Sequence, residues 1–206
     1  PFAFPREYFF PAFYTRQTNL NTLHAQLVKW SSLVLSYCRH YRIFKLSLSP
    51  IPSSSSTTST TTSTSPSAPP PLPPPTITSS GVASTDVLFH NPRLNRRLAL
   101  ADIREVIAFM RKEGRAEYLS DGGGDVVWIY WRTPEEWAAL VEAWVDETAQ
   151  RGSVLTLYEL TEGDATRGTE FHGLDKDLLL KALNTLVKRG KAQIFGQEDS
   201  QGIKFF

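Results

Sequence analysis

The sequence predicts an α+β chain built of two similar halves, and three observations carry that reading. The stretch 100–119 recurs at 174–195, offset by 76 residues when the two are aligned on Gly114 and Gly190. A Trp-bearing helical pattern precedes each copy. An uncharged tract, Ser47 to Thr85, interrupts the first half without offering a core: its 39 residues include 13 Ser, 9 Thr and 9 Pro. With that tract set aside, 167 of the 206 residues remain to fold, which at ~100–200 residues per domain allows one or two domains.

Residues 1–18, PFAFPREYFFPAFYTRQT, are rich in Phe and Tyr and broken by Pro1, Pro5 and Pro11. Such a segment is too aromatic for a solvated tail and too Pro-rich for a helix. Its rings must dock, on this chain or on another. Leu20, Leu23, Leu27, Trp30, Val34, Tyr37 and Tyr41 then recur at three- and four-residue steps. That is the buried stripe of a helix, with Asn19 or Asn21 to cap it and an end near Arg42.

The Ser/Thr/Pro tract cannot bury enough apolar surface to offset its ordering entropy, so 47–85 is expected to be disordered. It reads as an inert insertion, since closure entropy grows only logarithmically with loop length. A proline-motif ligand and a gene-model artefact are the alternatives. Order is expected again from Val87. Asp102 is expected to cap a helix bearing Ile103, Val106, Ile107 and Met110, with Gly114 as its stop. Ala116–Leu119 and Val126–Trp131 read as a hairpin around the Gly-rich tip 120–125.

In the second half, Thr133-Pro134-Glu135-Glu136 is a helix start with cap, Pro at the first helical position and acid at the third. That helix should bury Trp137, Leu140, Val141, Trp144 and Val145 and end near Gly152. Thr156-Leu157-Tyr158-Glu159 is a second capping box opening a short helix. Asp175 should cap a helix with Leu179, Leu183 and Leu186 inward, stopped by Gly190. Ala192–Phe195 and Ile203–Phe206 close the chain as a hairpin.

In the repeat, Ile103 matches Leu179, Ile107 matches Leu183 and Met110 matches Leu186. Each copy is a capped helix, a Gly stop, a basic residue and a hairpin, the order of a winged-helix unit. Two tandem winged helices are therefore expected, at 19–132 and 133–206, preceded by an arm, 1–18.

Winged helices often read DNA, but the charges here oppose it. Residues 133–206 carry net −5, and their helix at 175 opens Asp175-Lys176-Asp177. The net +5 of residues 1–46 is spread over six side chains. A protein-binding role is preferred, with a winged-helix nucleic-acid-binding regulator as the alternative and no DNA expected. No nucleophile–base arrangement is visible, so no enzyme and no catalytic residue is expected. The lone Cys38 excludes an internal disulfide framework and fits a reducing compartment. The four histidines lack metal-ligand spacing, so neither a metal nor a cofactor is expected. No apolar run approaches the ~18 residues of a membrane span.

The segments FPREYFFPAFYTRQTN, LVKWSSLVLSYCR, WRTPEEW, LTLYELT, EFHGLD and GIKFF together resemble the vacuolar protein sorting-associated protein 25 family of ESCRT-II subunits. The resemblance spans the chain except 43–85. It implies two winged helices and a non-catalytic adaptor in the sorting of ubiquitinated membrane cargo into multivesicular bodies. The implied location is cytoplasmic and peripheral at endosomal membranes, without direct insertion. The implied partners are the other two ESCRT-II subunits, with two copies of this subunit per complex, and an ESCRT-III subunit of the charged multivesicular body protein class. Carried onto this chain, the core-binding motifs are Pro5-Arg6-Glu7-Tyr8 and Pro11-Ala12-Phe13-Tyr14, each lacking the second proline of a Pro-Pro-x-Tyr motif. Pro5, Tyr8, Phe10, Pro11, Phe13 and Tyr14 are the expected anchors, against the alternative that these rings pack on their own domain. Alanine at Phe10, Pro11, Phe13 and Tyr14 is expected to free the chain from its partners while leaving it folded. Glu159, Glu162, Asp164 and Glu170 are the expected acidic surface for a basic ESCRT-III helix, against the alternative of a solvated acidic face that only keeps the domain soluble.

Overall fold

The computed structural model describes residues 1–49, 72–197 and 200–206. They form two compact units, Pro1–Trp131 and Arg132–Phe206.

The first unit opens with two 3-10 turns, Arg6–Phe9 and Pro11–Tyr14. Helix α1 (Leu20–Tyr41) follows, capped by Asn19, whose side chain accepts from the N–H groups of Asn21 and Thr22. It ends where Arg42 turns left-handed. Leu23, Trp30, Leu33, Val34, Tyr37 and Cys38 form its buried face. Leu20, expected on that stripe, is exposed.

The strands are β1 (Lys45–Ser47), β2 (Val82–Ala83), the short pair β3 (His90–Asn91) and β4 (Arg96–Arg97), then β5 (Ala116–Tyr118) and β6 (Val126–Ile129), with α2 (Leu100–Lys112) before β5. One sheet runs β2-β1-β6-β5. In it β1 lies parallel to β2 and antiparallel to β6, which pairs in turn with β5 as the expected hairpin.

This sheet corrects the expected insertion at 47–85. Ser47 belongs to β1, and Leu48 is buried with its N–H donating to the Asp125 carbonyl at 2.6 Å. On the return side Leu72 packs on the core, and Ala83, Ser84 and Thr85 are buried. Apolar residues at Leu46, Leu48, Val82 and Ala83 give the polar tract two ordered ends. Its centre, 50–71, lies outside the described residues, and the expectation of disorder there lies with it. Deleting Ser49–Ser84 would remove β2 and should lower the melting temperature of the unit by several degrees, at ~4 °C for each kcal/mol lost. Thermal melts of that deletion beside one confined to 50–71 check this.

The start of α2 is a second correction. Ala99 occupies the cap position without a side-chain bond, and Asp102 sits in the first turn. There its charge meets the positive end of the helix dipole instead of closing a backbone N–H.

The second unit runs α3 (Pro134–Glu147), β7 (Val154–Thr156), α4 (Leu157–Glu162), a 3-10 turn (Asp164–Thr166), α5 (Lys176–Lys188), β8 (Ala192–Phe195) and β9 (Gly202–Phe205). Both capping boxes form as the sequence predicts, Thr133 with Glu136 and Thr156 with Glu159. Helix α3 ends at Glu147, short of Gly152, because Ala149 takes a left-handed turn. It packs on α5 around Trp137, Val141, Val145, Leu179, Leu183 and Leu186, while Leu140 and Trp144 are half-buried. Strand β7 was not predicted; it adds to the hairpin in the order β7-β9-β8.

The repeat holds at the level of hydrogen bonds. Gly114 and Gly190 both have φ +70°, a conformation that costs residues with a Cβ. Gly114 N–H donates to Arg111 O and Arg115 N–H to Met110 O, at 3.0 and 2.8 Å. Gly190 and Lys191 repeat the two bonds to Val187 and Leu186, at 3.0 and 2.9 Å. Each pair closes a helix by the Schellman pattern.

Candidate partner-docking surfaces

The arm is divided between two environments. Each Pro-x-x-Tyr stretch makes one 3-10 turn, with Tyr8 N–H donating to Pro5 O at 3.1 Å and Phe13 N–H to Phe10 O at 3.0 Å. Tyr8, Phe13 and Tyr14 are buried, whereas Pro5, Phe10 and Pro11 are exposed.

The buried rings are bonded in place. Phe13 stacks on Trp30 with centroids 4.1 Å apart, and Trp30 Nε1 donates to Phe13 O at 3.1 Å. Gln26 Nε2 donates to the carbonyls of Phe13 and Thr15, both at 2.9 Å. Tyr8 Oη donates to Val87 O at 2.6 Å, and Tyr14 Oη to Tyr8 O at 2.7 Å. Phe13 and Tyr14 are therefore core residues, and alanine at both would not leave the fold intact as expected from sequence.

The outward face keeps Phe10 at 51% exposure and Phe9 at 36%. Beside it lies the β3–β4 pair, which sequence reasoning did not single out. Its Arg93 guanidinium sits 5.8 Å from the Phe9 ring centroid, a cation–π distance. Arg96 is exposed and has no ion pair with any described residue. The available signal was Asn91-Pro92-Arg93-Leu94-Asn95, a turn sequence flanked by arginines.

In the second unit the four expected acids are spread along α4 and the loop after it, and three are locally engaged. Glu159 closes its capping box, accepting from Thr156 N–H at 2.6 Å and Thr156 Oγ1 at 2.9 Å. Asp164 pairs with Arg167 at 2.7 Å, and Glu170 pairs with Arg132. Glu162 is exposed. The backbone and hydroxyl bonds from Thr156 hold the Glu159 carboxyl below its ordinary range. Its contribution is thus present above the ordinary carboxylate range and is lost as pH falls through the lowered value. Glu159→Gln keeps an acceptor for the capping box and loses only the charge, so it should flatten that dependence and cost ~0.3–1 kcal/mol, the range for a charge at a helix N-terminus; acid titrations of both proteins by circular dichroism check it.

Cys38 is fully buried, and burial pushes its thiol well above the ordinary range, against nucleophilic use. Among the described residues no group of His, Cys, Asp and Glu could hold a metal ion. Among the same residues no helix is long and apolar enough to cross a membrane. Asp175 is spent as the cap of α5, so that helix start carries a carboxylate where a phosphate would approach.

A sequence profile described as "ESCRT-II complex subunit" matches residues 7–175. The vacuolar protein-sorting-associated protein 25 of Homo sapiens is 38% identical over 205 residues, covering 100% of this chain and 98% of its own. That of Xenopus laevis is 36% identical, covering 100% and 99%. Among solved structures, subunit VPS25 of the endosomal trafficking complex ESCRT-II matches with a TM-score of 0.73 and 26% identity over 98% of each chain. A chain of the endosomal ESCRT-II complex (VPS22/VPS25/VPS36) matches with a TM-score of 0.71 over the same shares, also at 26% identity. Profile, relatives and fold agree over both units, and the chain belongs to the ESCRT-II complex subunit family.

Proposed function

We propose that this chain is a non-catalytic adaptor that joins an ESCRT-II core to an ESCRT-III subunit. It would serve at endosomal membranes, in the sorting of ubiquitinated cargo into multivesicular bodies, with two copies per complex. The core would consist of counterparts of the VPS22 and VPS36 named with the solved complex.

The observation that carries this reading is the division of the arm. Tyr8, Phe13 and Tyr14 fix the backbone to the fold, and this holds Pro5, Phe10 and Pro11 outward on a rigid support. Anchors pre-ordered in this way bind at low entropic cost. Arg96 and Arg93 beside them fit a partner pocket that is apolar with an acidic rim. Phe10→Ala with Pro11→Ala should weaken assembly with the other two subunits ~30-fold or more, the loss expected from one buried anchor worth ~2 kcal/mol. Size exclusion and titration calorimetry with those subunits test it; undiminished assembly would remove the arm from the interface.

The net charge of −5 on residues 133–206 supports the ESCRT-III half of the proposal. With Glu159, Asp164 and Glu170 engaged, Glu162 is the acid on which to test it. Glu162→Lys should slow association with a basic ESCRT-III N-terminal segment, and the slowing should fade as salt shortens the screening length below ~8 Å. Stopped-flow rates at several ionic strengths check this, and a salt-independent rate would leave the acidic surface out.

A further inference from the structure

We infer that Asn91 is a positioning residue that sets the distance between the two parts of the docking surface, the outward arm and the arginine hairpin. The inference rests on the arm reading above and adds a residue that touches no partner. Asn91 is fully buried, and all of its polar capacity in view is spent on joining two segments distant in sequence.

Its Nδ2 donates to the carbonyl of Tyr8 at 2.8 Å, across 83 residues of chain. Its Oδ1 accepts from the N–H groups of Arg93 and Leu94, at 2.9 and 3.3 Å. One amide therefore grips the arm's backbone immediately before Phe9 and Phe10, and the turn that carries Arg93 and leads to Arg96. In register, Asn91 pairs directly with Arg96 across β3 and β4. The side chain that ties down the arm and the backbone that places Arg96 thus belong to one residue pair.

The chemistry requires asparagine. Tyr8 O needs a donor, and the two N–H groups of the turn need an acceptor. A carboxylate keeps the second function and loses the first. A small apolar residue loses both. Tyr14 Oη also donates to Tyr8 O, at 2.7 Å. The same hydroxyl also meets the Asn91 amide. Tyr14→Phe removes these hydroxyl contacts but leaves the bonds of Asn91 to Tyr8 O and to the turn, so it is the control for loss of arm packing with the link kept.

If Asn91 aligns the two surfaces, Asn91→Asp loosens the arm from the hairpin, leaving Tyr8 Oη on the His90 carbonyl at 3.1 Å between them, and a partner must restore their alignment on binding. Ordering costs of ~0.5–1.5 kcal/mol for each freed side chain correspond to a two- to tenfold loss of affinity. The experiment uses the full chain and its two ESCRT-II partner subunits. Affinity and melting temperature are measured for Asn91→Asp and Tyr14→Phe, each alone and combined with Phe10→Ala, Arg96→Ala or both. The expected result is twofold. Asn91→Asp weakens binding more than Tyr14→Phe does at equal loss of stability. It also abolishes the coupling between Phe10→Ala and Arg96→Ala expected in the parent.

Coupling that survives Asn91→Asp, or affinity losses that track stability equally in both variants, would overturn the inference. Should Asn91→Asp not fold, Asn91→Ser, which leaves a smaller acceptor and donor at the site, carries the same two readouts. Single substitutions at Phe10 and Arg96 that leave binding unchanged would instead overturn the arm reading itself, so the two failures are distinguishable.

Discussion

Phe13→Ala should destabilise the first unit by ~3–5 kcal/mol, the usual cost of deleting a buried phenylalanine. Phe10→Ala, three residues earlier on the same arm, should stay within about 0.5 kcal/mol of the parent, as exposed substitutions do. The contrast follows from where the two rings sit: Phe10 is 51% exposed and Phe13 is buried. Phe13 is buried face to face with Trp30, at an interplanar angle of 2°. Its own carbonyl receives both the Trp30 and the Gln26 side chains. Truncation leaves a cavity against a tryptophan that is itself 1% exposed, and the surroundings are too closely bonded to collapse into it. Phe10 has half its surface in solvent and loses little. Denaturant titrations of both variants measure the difference. Equal losses would mean that the arm acts as one packed segment, and the division between inward and outward residues would have to be abandoned.

That division was not legible in the sequence. The Pro-x-x-Tyr spacing predicts a turn with one face, but which face is inward depends on groups far along the chain. Tyr8 is fixed by Val87 and Asn91, at separations of 79 and 83 residues. The local pairing of the acids was not legible for a similar reason. A charge count adds Glu170 to the total without seeing Arg132, 38 residues away. Strands β2 and β7 escaped because two or three residues carry too little periodicity, and only the partner strand defines them. Local chemistry was legible. Both Thr-x-x-Glu boxes, the Asn19 and Asp175 caps and the Gly114 and Gly190 stops formed where the sequence placed them, because each satisfies backbone groups within a few residues. The Asp102 cap failed within that same class: an acid near a helix start is equally at home one turn in, where the dipole favours it.

The 76-residue repeat makes the second large prediction, because it names equivalent residues in different units. Ile107 on α2 and Leu183 on α5 are both fully buried, each on the face that its helix turns to the core. Ile107→Ala and Leu183→Ala should each cost ~2–5 kcal/mol, the range for a large aliphatic side chain removed from a core. Ile107→Ala removes its side chain from the cluster that also holds Trp30 and Phe89. Leu183→Ala acts where α5 packs on α3, beside Trp137 and Val141. If each unit unfolds on its own, calorimetry of the full chain should show one transition lowered by Ile107→Ala and a different one lowered by Leu183→Ala. The double variant should lower each transition by its own single effect, as sites without shared partners do. A partner assay separates the two further. Ile107→Ala should erode attachment to the other ESCRT-II subunits at temperatures where Leu183→Ala leaves it whole, since the arm is packed into the first core. A single shared transition that both substitutions lower equally would show that the two units fold as one cooperative body.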